Sequence, residues 1–137
     1  MPLSADELQS FGEQWTVIRT FCSGSRQWMT PGGTLISERR PKSLSNLAAL
    51  LACGLLDEVL SSLAGQGAFS VEPRAMLGRK MEASKAAIPW IDFDAVKAAK
   101  DRRNELAHRG KLIPEVQCLL IVEAIGAELR AWGAIST

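Results

Sequence analysis

The chain has no tyrosine, a single histidine, His108, and three cysteines, Cys22, Cys53 and Cys118, none of them in a CxxC pair. One histidine without paired thiols leaves almost no ligands for a structural zinc site, and no metal or other cofactor is expected. Each cysteine falls in an apolar helical pattern, so all three read as reduced core residues of a cytoplasmic protein. Nothing resembles a Ser, His and Asp triad or a phosphate-binding glycine loop. An excess of one charge is also lacking. Sixteen Lys and Arg against 15 Asp and Glu leave +1 over 137 residues, so any nucleic-acid footprint must be local. The first residues, Met1-Pro2-Leu3-Ser4-Ala5-Asp6-Glu7, carry acids where a secretory signal carries Lys or Arg. The longest apolar run, 47–56, stops at Asp57-Glu58, short of the roughly 18 to 20 residues that span a bilayer, so no membrane partner is expected.

What is present is apolar surface in helical spacing. Hydrophobic residues make up 47% and charged residues 23%, enough burial to offset the ordering entropy of one domain spanning 1–137. Ser4 and Glu7 stand at capping-box spacing, and Leu8, Phe11, Trp15, Ile18 and Cys22 follow at intervals of three and four, predicting a helix over 5–22. Residues 23–42 lose this period and gain Gly24, Pro31-Gly32-Gly33 and Pro41, which predicts a mobile loop. Its cluster Arg39-Arg40-Pro41-Lys42 either extends a nucleic-acid groove or is simply solvated. A second helix, 43–64, is apolar on nearly every side and must be covered all round, as the central helix of a bundle or as part of a dimer face. Gly54 inside it marks a place for close approach of another backbone.

Residues 69–71 lead into a third helix with Pro73 in its first turn, core candidates Met76, Leu77, Met81, Ala83 and Ile88, and a stop at Pro89. Asp92 or Asp94 caps a fourth helix that runs to His108, with Gly110 as its terminator. Pro114 opens a fifth, to about residue 133, with Val116, Leu119, Leu120, Ala124, Ala127 and Leu129 spaced for burial. No run alternates convincingly with period two. The expected fold is therefore all-α, a bundle of about five helices.

One stretch stands out, Lys100-Asp101-Arg102-Arg103-Asn104-Glu105-Leu106-Ala107-His108-Arg109-Gly110-Lys111. Between 95 and 111, six Lys and Arg face two acids, a local +4. On a helix Asn104 and His108 share a face, and Arg103, about 100° away, has the length to reach it. Arg binds two phosphate oxygens in a fork, and His passes protons near neutral pH, which suits phosphodiester chemistry at a ribose 2′-hydroxyl. With one histidine per chain, a symmetric dimer would supply the second acid–base group. An aromatic surface for RNA would have to come from Trp28, Trp90 or Phe93, of which Trp90 reads better as a plug between helices. The plain alternative is electrostatic: His108 and Arg109 suit a helix C-terminus, where exposed charges contribute at most about 1 kcal/mol. That alternative leaves Asn104, a poor helix former, unexplained at mid-helix.

Arg103-Asn104-x-x-x-His108 matches the RNxxxH form of the R-x4-6-H motif, and through it the chain resembles the HEPN domains. These are helical bundles that often dimerise and include metal-independent endoribonucleases, many in toxin–antitoxin and antiphage systems. The resemblance implies that Arg103 and His108 are catalytic and that Asn104 assists them, with RNA as substrate. It also implies a homodimer and an antitoxin or other protein partner. Arg102, Arg109 and Lys111 are the accompanying candidates for RNA contact. The apolar helix over 48–63 with Leu56-Asp57-Glu58, followed by Arg-Asn-x-x-Ala-His, is also similar to the mannitol operon repressor family. That likeness implies the alternative function, a non-catalytic regulatory or protein-interaction module.

Overall fold

The computed structural model describes residues 3–22, 25–39 and 44–136. The capping box forms as expected: the Ser4 N–H donates to Glu7 Oε1 at 2.9 Å and the Glu7 N–H to Ser4 Oγ at 3.1 Å, opening α1 (Ala5–Cys22). Its stripe Phe11, Trp15 and Ile18 is buried. The helix packs antiparallel on α2 (Leu44–Gly65), its start tied to the end of α2 by Gln66 Nε2 donating to Glu7 Oε1 at 3.1 Å. Midway, Gln14 Nε2 donates to Glu58 Oε2 at 3.0 Å.

Between these helices the chain departs from the expected loop. Residues Ser25–Met29 (β1) and Leu35–Arg39 (β2) pair antiparallel, with Trp28 opposite Ile36 and Met29 opposite Leu35. The turn is set by Pro31-Gly32-Gly33. The Thr30 N–H donates to the Thr34 carbonyl at 2.9 Å, and Gly33 takes φ +84°, a conformation side chains disfavour. The alternation was illegible because none of the described side chains of this two-stranded ribbon is buried, so its sequence shows no apolar and polar period. Gly24, Arg40, Pro41, Lys42 and Ser43 lie outside the described residues.

Helix α2 is the central element and packs most extensively on α1 and α5 (Glu115–Ala131). It is longer than the expected apolar run and, by length and composition, apolar enough to cross a membrane; half of that stretch is buried inside this fold. The remaining helices are α3 (Leu77–Ser84) and α4 (Phe93–Arg109). The expected five-helix, all-α bundle is the observed fold.

Three local expectations are corrected. Gly54 faces outward with nothing within 4 Å of a built Cβ. The close approach is instead at Gly126, where a Cβ would stand 2.6 Å from Trp15 Cη2 and 2.8 Å from Cζ2. Met76 precedes α3 and is 74% exposed, because the helix begins at Leu77, after the segment of Pro73, and ends at Ser84, before Pro89. On α5, Val116 and Leu120 face outward, since the buried stripe runs through Cys118, Ile121, Val122, Ile125 and Leu129. Cys53 and Cys118 are buried and Cys22 half-buried, all three as free thiols. Gly126→Ala is expected to lower stability by about 1–3 kcal/mol, because the Trp15 ring is fixed between α1 and α5. A drop of several degrees in Tm is the check, and an unchanged Tm would show that the ring shifts freely.

Two buried polar side chains fix the ends of α4. Glu128 on α5 is 1% exposed, and its carboxylate accepts the backbone N–H groups of Ile91 at 2.7 Å and Asp92 at 2.9 Å. Asp92 in turn caps α4 by accepting the Ala95 N–H at 3.1 Å. At the other end Asn46 of α2 donates to the Ile113 carbonyl at 3.1 Å and accepts the Ile113 N–H at 2.8 Å. The segment carrying the motif is thus held before its first turn and after its last.

Candidate functional site

On α4 the core stripe runs Phe93, Val96, Ala99. Arg103, four residues beyond Ala99, falls on the same stripe, where a leucine would extend the core. It is half-buried there. Burial pushes the Cys53 thiol up to about 12, and the positive charge of Arg103 pulls against that rise. Arg103 Nε is buried without a hydrogen-bond partner among the described residues, and Nη1 donates to Asn104 Oδ1 at 3.1 Å. A buried unpaired N–H costs about 1–3 kcal/mol, so this arginine is not placed for stability.

Asn104 is half-buried, and its amide oxygen gives it a reason to occupy a mid-helix position: it holds the guanidinium. His108 lies one turn further along the same face, exposed, and makes no hydrogen bond or ion pair with the described residues. Of the carbonyls at this helix end, that of Leu106 accepts the Gly110 N–H at 3.0 Å. Gly110 closes the helix at φ +64°. The structure therefore joins Arg103 to Asn104 and leaves His108 as a neighbour on the same helix face.

The other bases are distributed around the helix. Arg102 is half-buried and lines a hollow between α4 and α5 with Ala95, Ala98 and Leu120. Arg109 is exposed, and Lys111 Nζ lies 3.4 Å from Glu105 Oε2. Exposed ion pairs of this kind contribute little, so Lys111 can exchange a carboxylate for a phosphate. Arg102, Arg109 and Lys111 do not converge with Arg103 at one point. Among the described residues no group of three His, Cys, Asp or Glu is arranged to hold a metal ion.

Of the three aromatic candidates, two pack against the core. Trp90 packs edge-on to Phe93 at 5.1 Å and to Trp132 at 4.8 Å between ring centres, and donates through Nε1 to Ser84 Oγ at 3.2 Å. Phe93 is buried. Trp28, on β1, is 37% exposed, the most exposed of the three. The positioning residues Asn46 and Glu128 were not anticipated. Their signal was a polar residue at a buried register: Glu128 lies three after Ile125 and seven after Ile121 on the core side of α5. No family model, curated protein or solved structure matches the chain, so any function rests on this arrangement of Arg103, Asn104 and His108.

Proposed function

We propose that this protein is a cytoplasmic HEPN-like endoribonuclease, of the toxin or defence kind, that acts as a homodimer. The observation that carries the reading is Arg103: a guanidinium on the core stripe, with a buried unpaired Nε, clasped by Asn104 one turn before the chain's only histidine. In the reaction the 2′-oxygen attacks the adjacent phosphorus and the bond from phosphorus to the 5′-oxygen breaks. One His108 takes the 2′-hydroxyl proton, and a second gives a proton to the leaving 5′-oxygen. Arg103 stabilises the charge that builds on the phosphorane oxygens. The products are a 2′,3′-cyclic phosphate and a 5′-hydroxyl, and neither proton transfer requires a metal.

The two histidines must come from two chains, and the surface beside the motif suits a second copy. Leu47 and Leu51 are 43% and 42% exposed, and with Gly54 they form the uncovered stripe of α2. One shoulder of that stripe is α1, through the Gln14–Glu58 bond, and α4 also packs on α2. Light scattering is expected to give twice the 14.9 kDa chain mass at micromolar concentration. A monomer would overturn the two-histidine mechanism.

The activity itself is tested with a labelled single-stranded RNA and its DNA counterpart in EDTA. Cleavage of the RNA alone, undiminished by the chelator, is the expected result. The second reading, a regulatory module that docks a protein, draws on Leu112, Val116 and Leu120, which are 63%, 69% and 64% exposed. Intact RNA after incubation with the parent protein would overturn the ribonuclease reading and favour this one.

A further inference from the structure

Among the described residues two lysines have largely buried side chains, and their partners differ in kind. Lys80 on α3 is 13% exposed, and its Nζ lies 2.6 Å from Asp57 Oδ1 on α2, an ion pair that ties two helices together. Lys100 on α4 is 19% exposed, yet its one carboxylate partner among the described residues is Asp101, the next residue in the chain, at 3.0 Å. Residues i and i+1 do not face each other on a helix, and Asp101 is 59% exposed, so this pair ties nothing together. An ammonium drawn out of water costs free energy that such a pair offsets poorly. The fold nevertheless makes room for it. Gly78 of α3 meets the Lys100 side chain, and a Cβ at Gly78 would stand 3.2 Å from Nζ and 3.6 Å from Cδ.

Lys100 lines a hollow of about 260 Å³ between α3 and α4. Of the described residues around that hollow, Arg79, Lys97 and Lys100 are cations and Glu82 is the one acid. Arg79 is committed elsewhere, forked to Glu72 at 2.9 and 3.2 Å, which holds the Glu72 carboxyl down at about 2. Lys97 is not, since its Nζ is 3.6 Å from Glu82 Oε1 and both side chains are about half exposed. Neither Glu72 nor Asp101 lines the hollow, which therefore holds two exchangeable ammonium groups against one carboxylate. Its place on α4 relates it to the motif. Lys100, Asn104 and His108 are spaced by four and form one row along the helix, about 12 Å from first to last. A polyanion that reaches from His108 along this row meets the Lys100 ammonium next.

We propose that the hollow between α3 and α4 is a phosphate subsite of the RNA strand, in which Lys100, with Lys97 beside it, binds a backbone phosphate near the scissile one and keeps the strand aligned with Arg103 and His108. The phosphate takes the place of Asp101 beside the ammonium, a charge-assisted contact that positions the strand without reading its bases. This rests on the ribonuclease reading for its choice of RNA, and the test separates the two. Binding is measured by fluorescence anisotropy with a labelled 12-nucleotide 2′-O-methyl oligouridylate, which the 2′-hydroxyl route cannot cleave. Cleavage is measured separately on unmodified RNA.

Lys100→Met keeps most of the stem and loses the charge. It is expected to weaken binding about 10-fold, the loss of one charge-assisted contact, and to raise KM for cleavage with little change in kcat. The dependence of log Kd on log salt should fall by about 0.7, which a purely structural lysine would not alter. Asp101→Asn removes the competing carboxylate at an exposed position and is expected to tighten binding about 2- to 5-fold. Melting curves identify a Lys100→Met protein that fails to fold; Asp101→Asn then carries the comparison, and an affinity equal to that of the parent would overturn the subsite. Unchanged affinity and salt dependence in a folded Lys100→Met protein, with the parent cleaving RNA, would overturn the subsite and leave the ribonuclease reading standing. Binding that depends on Lys100 in a parent that cleaves nothing would support the subsite and overturn the ribonuclease reading. A parent that binds no oligonucleotide would overturn the subsite outright.

Discussion

His108→Ala is expected to cleave RNA about 100- to 10 000-fold more slowly than the parent while melting within a few degrees of it. The rate loss is that of one acid–base group. The small thermal effect follows from exposure: the imidazole bonds to none of the described residues, so its removal unpairs nothing in the fold. Arg103 behaves differently. Arg103 is half-buried on the register of Phe93, Val96 and Ala99, with its Nε enclosed, so Arg103→Ala would also remove the packing of its stem. The informative variant is Arg103→Lys, which keeps the stem and the charge and loses the fork. It should retain a Tm near that of the parent and lose about 100-fold or more in rate, because a point charge cannot hold two phosphorane oxygens. Full activity in either His108→Ala or Arg103→Lys would remove that residue from the reaction.

Glu128→Ala is the second large effect, on stability. The buried carboxylate accepts two backbone N–H groups at the entrance to α4. Deleting it leaves both donors without their acceptor and opens a void in α5, at a cost of about 2–4 kcal/mol. For a domain of this length that is a fall of roughly 10 °C in Tm. Glu128→Gln keeps the volume and one acceptor but turns an amide N–H toward a backbone N–H, so an intermediate loss is expected. A Glu128→Ala protein melting within a degree or two of the parent would show that water replaces the carboxylate without cost.

The helices were legible because their signals are local. The Ser4 and Glu7 box, Asp92, Gly110 and Pro114 mark ends, and of the stripe that spacing selects on α1 the fold buries Phe11, Trp15 and Ile18, half-buries Cys22 and leaves Leu8 39% exposed in the first turn. The ribbon was illegible because period two appears only where one face is buried, and none of its described side chains is. The Pro31-Gly32-Gly33 turn was its visible trace. On α5 the outward Val116 and Leu120 misled because apolarity alone cannot distinguish a core stripe from an exposed one, and the true stripe contains Glu128. The motif was legible as spacing, yet the burial of Arg103 was not, since it depends on which face of α4 meets α2.

The central claim, that Arg103, Asn104 and His108 form a site for cleavage through the ribose 2′-hydroxyl, is tested most directly by mass spectrometry of the ends left on a defined RNA after incubation in EDTA. A 2′,3′-cyclic phosphate on the upstream fragment and a 5′-hydroxyl on the downstream one, both lost with His108→Ala, are the predicted result. A 3′-hydroxyl with a 5′-phosphate, or the same cyclic ends from the His108→Ala protein, would contradict it.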